Sequence, residues 1–559
     1  MNGRSRERRR RRYPLAGYTV AALVTALLLP SALVVPQTGP PTVAEFAPVP
    51  GRSESAASPL SSFGQTISAG VGSGGTGTGL GPGRGPAETT TTTTIQPATG
   101  PSGARKPGTK RCVGRPPRQT EDPLSPPCIA YFDGDNHGAT WQGVTASEIQ
   151  LVLLGGCSSA GTVLDDLDDP GSSTAPAAPA YAGMFRYFGD RFQLYGRRVH
   201  GWLAHVPCND VRAGYLDVLE RLKPFAILGA GDSTVLATEA SQRQVLSSVR
   251  GGDRQFMHAR QPYVISSTPD VQSYAANLVG FICEKLAGRP ARYSGELPDR
   301  VKPRRFAMLY DRGADPDQLG AKLIVEGVGQ RCGHQVGPIQ PSSGNAAQDM
   351  AKWARVDGVT TVLQFGNSVT WLAAADATGW HPEWTIVPNT CCSAGWAAGA
   401  PKAQMLNAFG VWFERRWSEQ QQGQEWYQAQ HEGCPDCTGA VGNEIYNEML
   451  LFFWGIQAAG PRLTPANVDR GLHAIPQRPS PNPYTPAAYF GAPDDHSFVK
   501  DAAVIRWDST GTPPGQPAPG CWRLVEDGKR YRAEDWAIHP GDDDFDRTPA
   551  WPCQGFPNS

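Results

Sequence analysis

Cysteine is the residue type in this sequence with the most obvious capacity for chemistry. Twelve cysteines are spread along the chain, and Cys434 and Cys437 have the spacing of a thiol–disulfide redox motif. Redox motifs of this kind act at a strand-to-helix turn, whereas Cys434-Pro-Asp-Cys437 lies between "WYQAQHEG" and a helical pattern. A structural disulfide is therefore the favoured interpretation. An even number of scattered cysteines is typical of exported proteins, in which disulfides persist.

Spacing alone makes several local disulfides plausible without settling their connectivity. Cys391 and Cys392 are adjacent and are expected to bond to different partners. The plausible local pairs are Cys112–Cys128, Cys157–Cys208, Cys434–Cys437 and Cys521–Cys553.

Metal-ligand spacing is weak in this sequence. The ten histidines are dispersed, and no second CxxC or HxxxH completes a zinc site. Two acidic clusters could bind calcium but lack the spacing of a calcium loop, so solvated acidic loops are favoured. These clusters are Asp165, Asp166, Asp168 and Asp169, and the run 542–544. We predict no metal and no cofactor.

Catalytic and nucleotide-binding motifs were not found. The sequence contains no G-x-S-x-G, no H-E-x-x-H and no Walker loop. The glycine-rich stretch near residues 70–85 lies in no strand–helix context and is not a nucleotide loop. A net charge of −1 gives no indication of a polyanionic partner such as nucleic acid. Catalysis therefore has no visible carrier in the sequence, and the chain is predicted not to be an enzyme.

The N-terminal region has the pattern of an export or membrane segment. A cluster of arginines, Arg4 to Arg12, precedes the uncharged run Leu15–Val35, which is long enough to cross a bilayer. A cleaved signal, with a weak site near Thr42-Val43-Ala44, and an uncleaved anchor both fit, and the anchor is favoured. The first cysteine is Cys112, which excludes a lipid anchor at the end of the apolar run.

The segment 36–111 is rich in Pro, Gly, Ser and Thr and contains too few large apolar side chains to offset the entropy of ordering it. It is predicted to be a disordered linker between residues 1–35 and the folded part.

The folded part alternates strand and helix patterns. "EIQLVLLGG" is a continuous apolar run typical of a strand buried on both faces, and helical periods follow it. Asp210 is the predicted N-cap of the helix "DVRAGYLDVLERL". Thr464 is the predicted N-cap of a later helix, with Pro465 at its first position. The same order restarts after the charged, proline-bearing break at 295–305, which predicts two parallel-sheet lobes. The predicted division is a lead-in at 112–142, lobe 1 at 143–295, lobe 2 at 303–405, a return to lobe 1 at 406–485, and completion of lobe 2 with a tail at 486–559.

Several segments together carry a resemblance to a known family. "DGDNHGATWQGVTASEIQLVLL" resembles the opening of type I solute-binding proteins, the Leu/Ile/Val-binding class of ABC importers. "CEKLAGRPARYSG", "WHPEW" and "IQAAGPRLTP" resemble pieces of its actinobacterial members, and the similarity spans residues 130 to about 535. The resemblance implies an α/β fold of two Rossmann-like lobes, joined by three crossover strands, that close on a solute as in a Venus flytrap. It also places Gly155 and Gly156 at the cleft edge.

The resemblance further implies which residues bind the solute. In the first lobe of that family, hydroxyls and backbone N–H groups from two strand-end loops hold the carboxylate of the solute. The matching loops here are "GAGDST" and "VISSTPD", which give Ser233, Ser266, Ser267 and Thr268. Short hydroxyls and free amides satisfy an anion without a buried counter-charge.

In the second lobe, the family's aromatic and carboxylate positions fall near "FGNSVTW" and "VPNTCCS". Asn367, Ser368, Asn389 and Thr390 stand there, which departs from the pattern of binders of plain aliphatic amino acids. The resemblance thus implies a receptor for an amino acid or related carboxylate-bearing solute, with an ABC permease as partner. The alternative is a membrane-anchored sensing or scaffolding domain of the same fold without a transport partner.

Overall fold

The computed structural model describes most of the chain beyond residue 121. The described residues are 112–113, 118–119, 122–130, 132–169, 177–229, 231, 233–311, 315–341, 344–365, 369–387, 399–415, 425–432, 443–511 and 519–536. The predicted anchor and linker, residues 1–111, lie outside these ranges. Among the described residues, no helix is long and apolar enough to cross a membrane.

A six-stranded sheet forms the first lobe. In the lead-in before it, β1 (Cys112–Val113) pairs with β2 (Arg118–Gln119). The strands of the lobe are β3 (Glu148–Ser158), β4 (Val163–Asp166), β5 (Arg198–Pro207), β6 (Ala226–Leu228), β7 (Leu246–Ser248) and β8 (Val264–Ile265). Their spatial order is β4-β5-β3-β6-β7-β8, and all neighbours are parallel except β4 and β5. The predicted strand β3 is central and buried, as its apolar run indicates.

Four helices of the first lobe lie between these strands. They are α1 (Ala178–Gly189), α2 (Val211–Leu222), α3 (Thr234–Gln242) and α4 (Arg254–His258). As predicted, Asp210 caps α2, accepting a hydrogen bond from the Ala213 N–H. Two strands, β4 and β7, were not predicted. β7 is too short to show a period, and β4 contains Asp165 and Asp166, which the sequence analysis placed in an acidic loop.

The second lobe is built on an eight-stranded sheet. Its strands are β9 (Phe306–Tyr310), β10 (Val336–Pro341), β11 (Thr361–Phe365), β12 (Glu383–Val387), β13 (Ala408–Trp412), β14 (Asp501–Asp508), β15 (Cys521–Leu524) and β16 (Arg530–Arg532). The order is β10-β9-β11-β12-β13-β14-β15, with β16 also paired to β14. The strands β9 to β13 are parallel to their neighbours, and β14, β15 and β16 pair antiparallel.

Both lobes therefore repeat one topology. If the parallel strands of each lobe are numbered along the chain, both sheets have the order 2-1-3-4-5, which is the flavodoxin-like doubly wound arrangement. The predicted fold class, α/β with two Rossmann-like parallel-sheet lobes, is confirmed.

The helix α5 (Val271–Phe281) belongs to the second lobe. Its apolar residues Tyr274, Leu278 and Phe281 are buried in one core with Phe306 and Ile324. The sequence analysis put this helix in lobe 1, because the charged break after it looked like a boundary. Packing places the crossover before α5 instead, near residues 266–270.

The other helices of the second lobe follow in sequence. They are α6 (Asp315–Cys332), α7 (Ala346–Lys352), α8 (Val369–Ala377) and α9 (Lys402–Met405). The strand β13 lies in the second sheet although the sequence analysis assigned 406–485 to the return into lobe 1. Its pairing with β12 and β14 gives the physical reason.

The chain then returns to the first lobe. The helices α10 (Glu425–Glu432), α11 (Asn443–Ala459) and α12 (Pro465–His473) pack into its core, where Phe452 and Phe453 meet Phe185 and Phe188. Thr464 caps α12 and Pro465 is its first residue, as predicted.

Each lobe contains a disulfide between its secondary-structure elements. Cys157–Cys208 joins the ends of β3 and β5, as its spacing predicted. Cys283–Cys332 was not predicted. It joins the helical turn Ile282–Leu286, which follows α5 directly, to the last residue of α6. Cys128 and Cys521 are also disulfide-bonded. The predicted pair Cys434–Cys437 lies outside the described residues.

Candidate functional site

The strand ends of both sheets point to a site between the lobes. In open parallel sheets, ligands bind beyond the carboxyl ends of the strands, at the point where the strand order reverses. In the first lobe that point lies between β3 and β6. The backbone there turns through Gly156 and Gly229, which both have positive φ (102° and 80°), and the Gly229 N–H donates to buried Glu448 on α11 at 2.8 Å. Positive φ requires glycine at these turns.

The helix α3 begins directly after the β6 strand end. Ser233 is its N-cap residue, and Ser233 Oγ accepts a hydrogen bond from the Leu236 N–H at 3.2 Å. The first turn of a helix presents free N–H groups and a partial positive charge. This end of α3 can therefore receive an anionic group of a ligand.

A wide cavity, here called the cleft cavity, opens beside the first turns of α3. Its empty volume is about 990 Å³, open solvent included. It is lined by Arg212, Thr234, Val235, Thr238, Glu239, Asp253, Phe256 and Leu319. Leu319 lies on α6 of the second lobe and the others on the first lobe, so both lobes contribute to the lining.

Charge and apolar surface are combined in the cleft cavity. Arg212 Nε donates to Glu239 Oε1 at 2.9 Å, and Arg243 Nη1 donates to Glu239 Oε2 at 2.9 Å. The hydrogen bond from Arg212, together with that from Arg243, holds the pKa of Glu239 below its usual value, against the effect of burial. Val235 is 45% exposed there. The cavity can thus contact the polar and apolar parts of one small molecule.

A second, smaller cavity, here called the crossover cavity, lies where the chain passes between the lobes. It is lined by Leu124, Arg250, Ser267, Thr268, Glu414, Arg415, Asn447, Leu450, Pro486, Phe498 and Val499. Arg250 follows β7 of the first lobe, and its Nη2 lies 3.4 Å from Glu414, which follows β13 of the second. This ion pair spans the two lobes beside the cavity.

The sequence profile described as "periplasmic binding protein" matches residues 209–512, more than half of the chain. The chain belongs to the periplasmic binding protein family. The resemblance to type I solute-binding proteins is thereby confirmed at the level of the family and of the fold.

Solved structures similar to this periplasmic binding protein include solute-binding proteins of ABC transporters. One from R. palustris, in complex with 4-hydroxybenzoate, is 10% identical and aligns over 71% of this chain and 100% of its own, with a TM-score of 0.47. One from Aeropyrum pernix is 14% identical over 72% and 98%, with a TM-score of 0.47. A fatty acid ABC transporter substrate-binding protein from Thermomonospora curvata is 13% identical over 73% and 98%, with a TM-score of 0.47. No curated protein matches the chain.

The predicted ligand residues of this binding protein do not share one cavity. Ser233 lies next to Thr234 of the cleft cavity, whereas Ser267 and Thr268 line the crossover cavity. Ser266 is fully buried, and its Oγ donates to the Thr268 carbonyl at 2.9 Å. Thr268 Oγ1 accepts a hydrogen bond from the Gly251 N–H at 2.9 Å. The Thr268 hydroxyl therefore holds the crossover near residues 266–270 against the loop after β7, and the Ser266 hydroxyl bonds within the crossover itself.

The second-lobe candidates remain predictions. Asn367 and Ser368 follow β11, and Asn389 and Thr390 follow β12, but all four lie outside the described residues.

Sequence reasoning missed Arg250, Glu414 and Arg212 as cavity residues. Arg250 follows a strand that was not predicted, and no spacing signal connects it to Glu414, 164 residues away. Two of the acidic residues near β4 have partners at the sheet edge, since Asp166 Oδ1 lies 3.1 Å from His200 Nε2 and Asp168 forms an ion pair with Arg198. The run 542–544 lies outside the described residues.

Proposed function

We propose that this periplasmic binding protein is an extracytoplasmic receptor that captures a small polar solute between its lobes and delivers it to an ABC importer. The observation that supports this most strongly is the family membership. The cleft cavity, to which both lobes contribute lining residues, supports the place of binding. The solute class we propose is an amino acid or a related carboxylate-bearing compound.

A carboxylate suits the first lobe because α3 begins at the cleft. Its first-turn N–H groups and the Ser233 hydroxyl, which can donate its proton while its oxygen accepts from Leu236, would bind the anion. Arg212 would add positive charge, although Glu239 already neutralises part of it. Val235, Phe256 and Leu319 would contact the apolar part of the solute. No catalytic step is included in the proposal.

Capture by closure requires that the solute contact both lobes. A ligand that binds the closed form more tightly shifts the population toward that form. Leu319 on α6 is the second-lobe residue among those described that lines the cleft cavity. Asn367, Ser368, Asn389 and Thr390 are proposed to complete the second-lobe side, since they follow parallel strands of that sheet.

The Arg-rich start followed by the apolar run Leu15–Val35 supports the extracytoplasmic location, with that run as an anchor. N-terminal sequencing of protein from its own host tests the anchor. We expect a start at or before Leu15. A start beyond Val35 would show that the segment is cleaved.

The solute is found by a thermal-shift screen of small carboxylates and amino acids, because a ligand that binds the folded state raises the melting temperature. Calorimetry with the hit then compares wild type with Val235→Glu, which puts a negative charge in the cleft cavity. We expect binding about tenfold weaker or more with an unchanged melting temperature, because Val235 is already 45% exposed.

Val301→Glu is the matched control, since Val301 is 80% exposed and lines neither cavity. Equal affinity of both variants would show that the solute does not bind in the cleft cavity. Small-angle scattering should show a smaller radius of gyration with the solute, and uptake by vesicles carrying a permease tests delivery. Binding and closure without uptake would favour a sensing domain.

A further inference from the structure

A cluster of metal-ligand side chains lies in the first lobe, away from both cavities. Asp469, His473 and His496 can each offer one ligand atom such that all these atoms lie within 4.8 Å of one another. Asp469 and His473 are one turn apart on α12, and His496 comes from the segment that precedes β14. None of the three lines the cleft cavity or the crossover cavity.

Three polar atoms of these side chains are buried and have no hydrogen-bond partner by distance and angle among the described residues. They are Asp469 Oδ1, His473 Nε2 and His496 Nδ1. The His496 side chain is 0% exposed and the Asp469 side chain 10%, and His496 Nδ1 lies 3.3 Å from Asp469 Oδ1. A buried polar group without a partner costs free energy, and a bound cation would satisfy all three of these atoms at once.

The remaining polar atoms of these three side chains lie beside other groups. Gln261 Nε2 donates to Asp469 Oδ2 at 2.8 Å, and His473 Nδ1 lies 2.9 Å from the carbonyl oxygen of Asp469. His496 Nε2 lies 3.4 Å from His258 Nδ1. Metal-binding histidines and carboxylates are oriented in this way, since a hydrogen bond on one atom fixes the tautomer and leaves the other atom free for the cation.

The donor set decides the class of cation. Two imidazoles and one carboxylate suit zinc and related first-row divalent ions better than calcium or magnesium, which prefer oxygen ligands alone. Three protein ligands with an open position are a common zinc arrangement. We propose that Asp469, His473 and His496 bind one divalent cation of the zinc class, with Gln261 and His258 as orienting groups.

The site would tie the segment that carries His496 to the first lobe. The His496 carbonyl oxygen accepts a hydrogen bond from the Ser266 N–H at 2.8 Å, so the segment carrying His496 already runs beside the first crossover. A cation that joins His496 to α12 adds a second connection between this segment and the first lobe. Occupancy is therefore expected to raise the melting temperature of the chain.

The test uses the full chain without a polyhistidine tag, stripped with a chelator and titrated with Zn²⁺ by calorimetry. We expect one ion per chain and a higher melting temperature. His473→Gln should weaken binding by ~100-fold or more, and His258→Phe by roughly 10- to 100-fold, as is typical when an orienting group is lost. His473 is chosen because its side chain is 16% exposed, so the variant is expected to fold.

The matched control is His381→Gln. His381 also has two carboxylates 3.6 Å away, Glu296 and Asp376, but they are 37% and 41% exposed. This variant should bind Zn²⁺ like wild type. Co²⁺ in place of Zn²⁺ should give visible absorption bands that His473→Gln and Asp469→Asn lose. Unchanged binding in both of those variants, or no stoichiometric binding by wild type, would overturn the proposal and leave a hydrogen-bonded His–Asp cluster only.

Discussion

Arg415 and Asp122 form a buried ion pair between residues 293 positions apart in the sequence. Arg415 Nη2 donates to Asp122 Oδ1 at 2.7 Å, and the two side chains are 2% and 3% exposed. Tyr446 on α11 donates its hydroxyl to Asp122 Oδ2 at 2.7 Å. Burial raises the pKa of Asp122, but the Arg415 charge and these hydrogen bonds outweigh it and keep the pKa below its usual value. The lead-in, the chain after β13 and α11 are thereby joined at one point.

Removal of one partner of this ion pair should be strongly destabilising. Asp122→Ala leaves the Arg415 guanidinium buried without its counter-charge, and we expect a loss of about 3–5 kcal/mol in the free energy of unfolding. The double variant Asp122→Leu/Arg415→Met removes both charges and should lose less than Asp122→Ala alone. Urea unfolding of the three proteins measures this. A double variant as unstable as Asp122→Ala, or less stable than it, would contradict the interpretation.

The hydroxyls predicted to bind solute also stabilise the fold. Ser233→Ala removes the cap of α3 and should cost about 1 kcal/mol. Thr268→Val leaves the buried Gly251 N–H without its acceptor and should cost about 1–3 kcal/mol. Thermal and denaturant unfolding in the absence of ligand measure both losses. Stabilities equal to wild type would show that these hydroxyls serve the ligand alone.

The disulfide Cys283–Cys332 should stabilise the second lobe. It closes a loop over a sequence separation of 49, for which the loss of chain entropy in the unfolded state predicts about 4 kcal/mol. We expect the double variant Cys283→Ser/Cys332→Ser to lower the melting temperature. Cys157→Ser/Cys208→Ser, over a similar separation of 51 in the first lobe, is the comparison. A melting temperature unaffected by reductant in wild type would argue against both stabilisations.

Asp508 should make stability dependent on acidic pH. Burial alone raises its pKa, but hydrogen bonds from Thr510 and Arg523, with the Arg523 charge, outweigh it and lower the pKa to about 2. The folded state therefore binds its proton more weakly than the unfolded state, whose pKa is about 3.9. The stabilisation is complete above the unfolded pKa and is lost as pH falls from about 4 toward 2.

Asp508→Asn tests this relationship. The difference in free energy of unfolding between wild type and the variant should be constant from pH 7 to 5 and shrink between pH 4 and 2. Urea unfolding at each pH measures it. A difference that stays constant down to pH 2 would show that the folded pKa is not lowered.

Much of the fold followed from local sequence pattern. The apolar run of β3, the caps Asp210 and Thr464, and the alternation of strands and helices predicted two parallel-sheet lobes, because these signals depend on neighbouring residues. The short strand β7 was not predicted, because three residues are too few to show a strand period. The helix α5 was assigned to the wrong lobe, because the sequence of a helix does not indicate which lobe it packs against.

The candidate sites depended on contacts between distant segments. The sequence determined that hydroxyls and amides follow the strands and that cysteines are spaced for disulfides such as Cys157–Cys208. Only the tertiary structure decided that Thr268 lines the crossover cavity, that Ser233 lies beside the cleft cavity next to Thr234, and that His496 meets Asp469 and His473. The physical reason is that helix and strand patterns arise from residues a few positions apart, whereas a buried cluster forms only when packing of the lobes and crossovers brings remote side chains together.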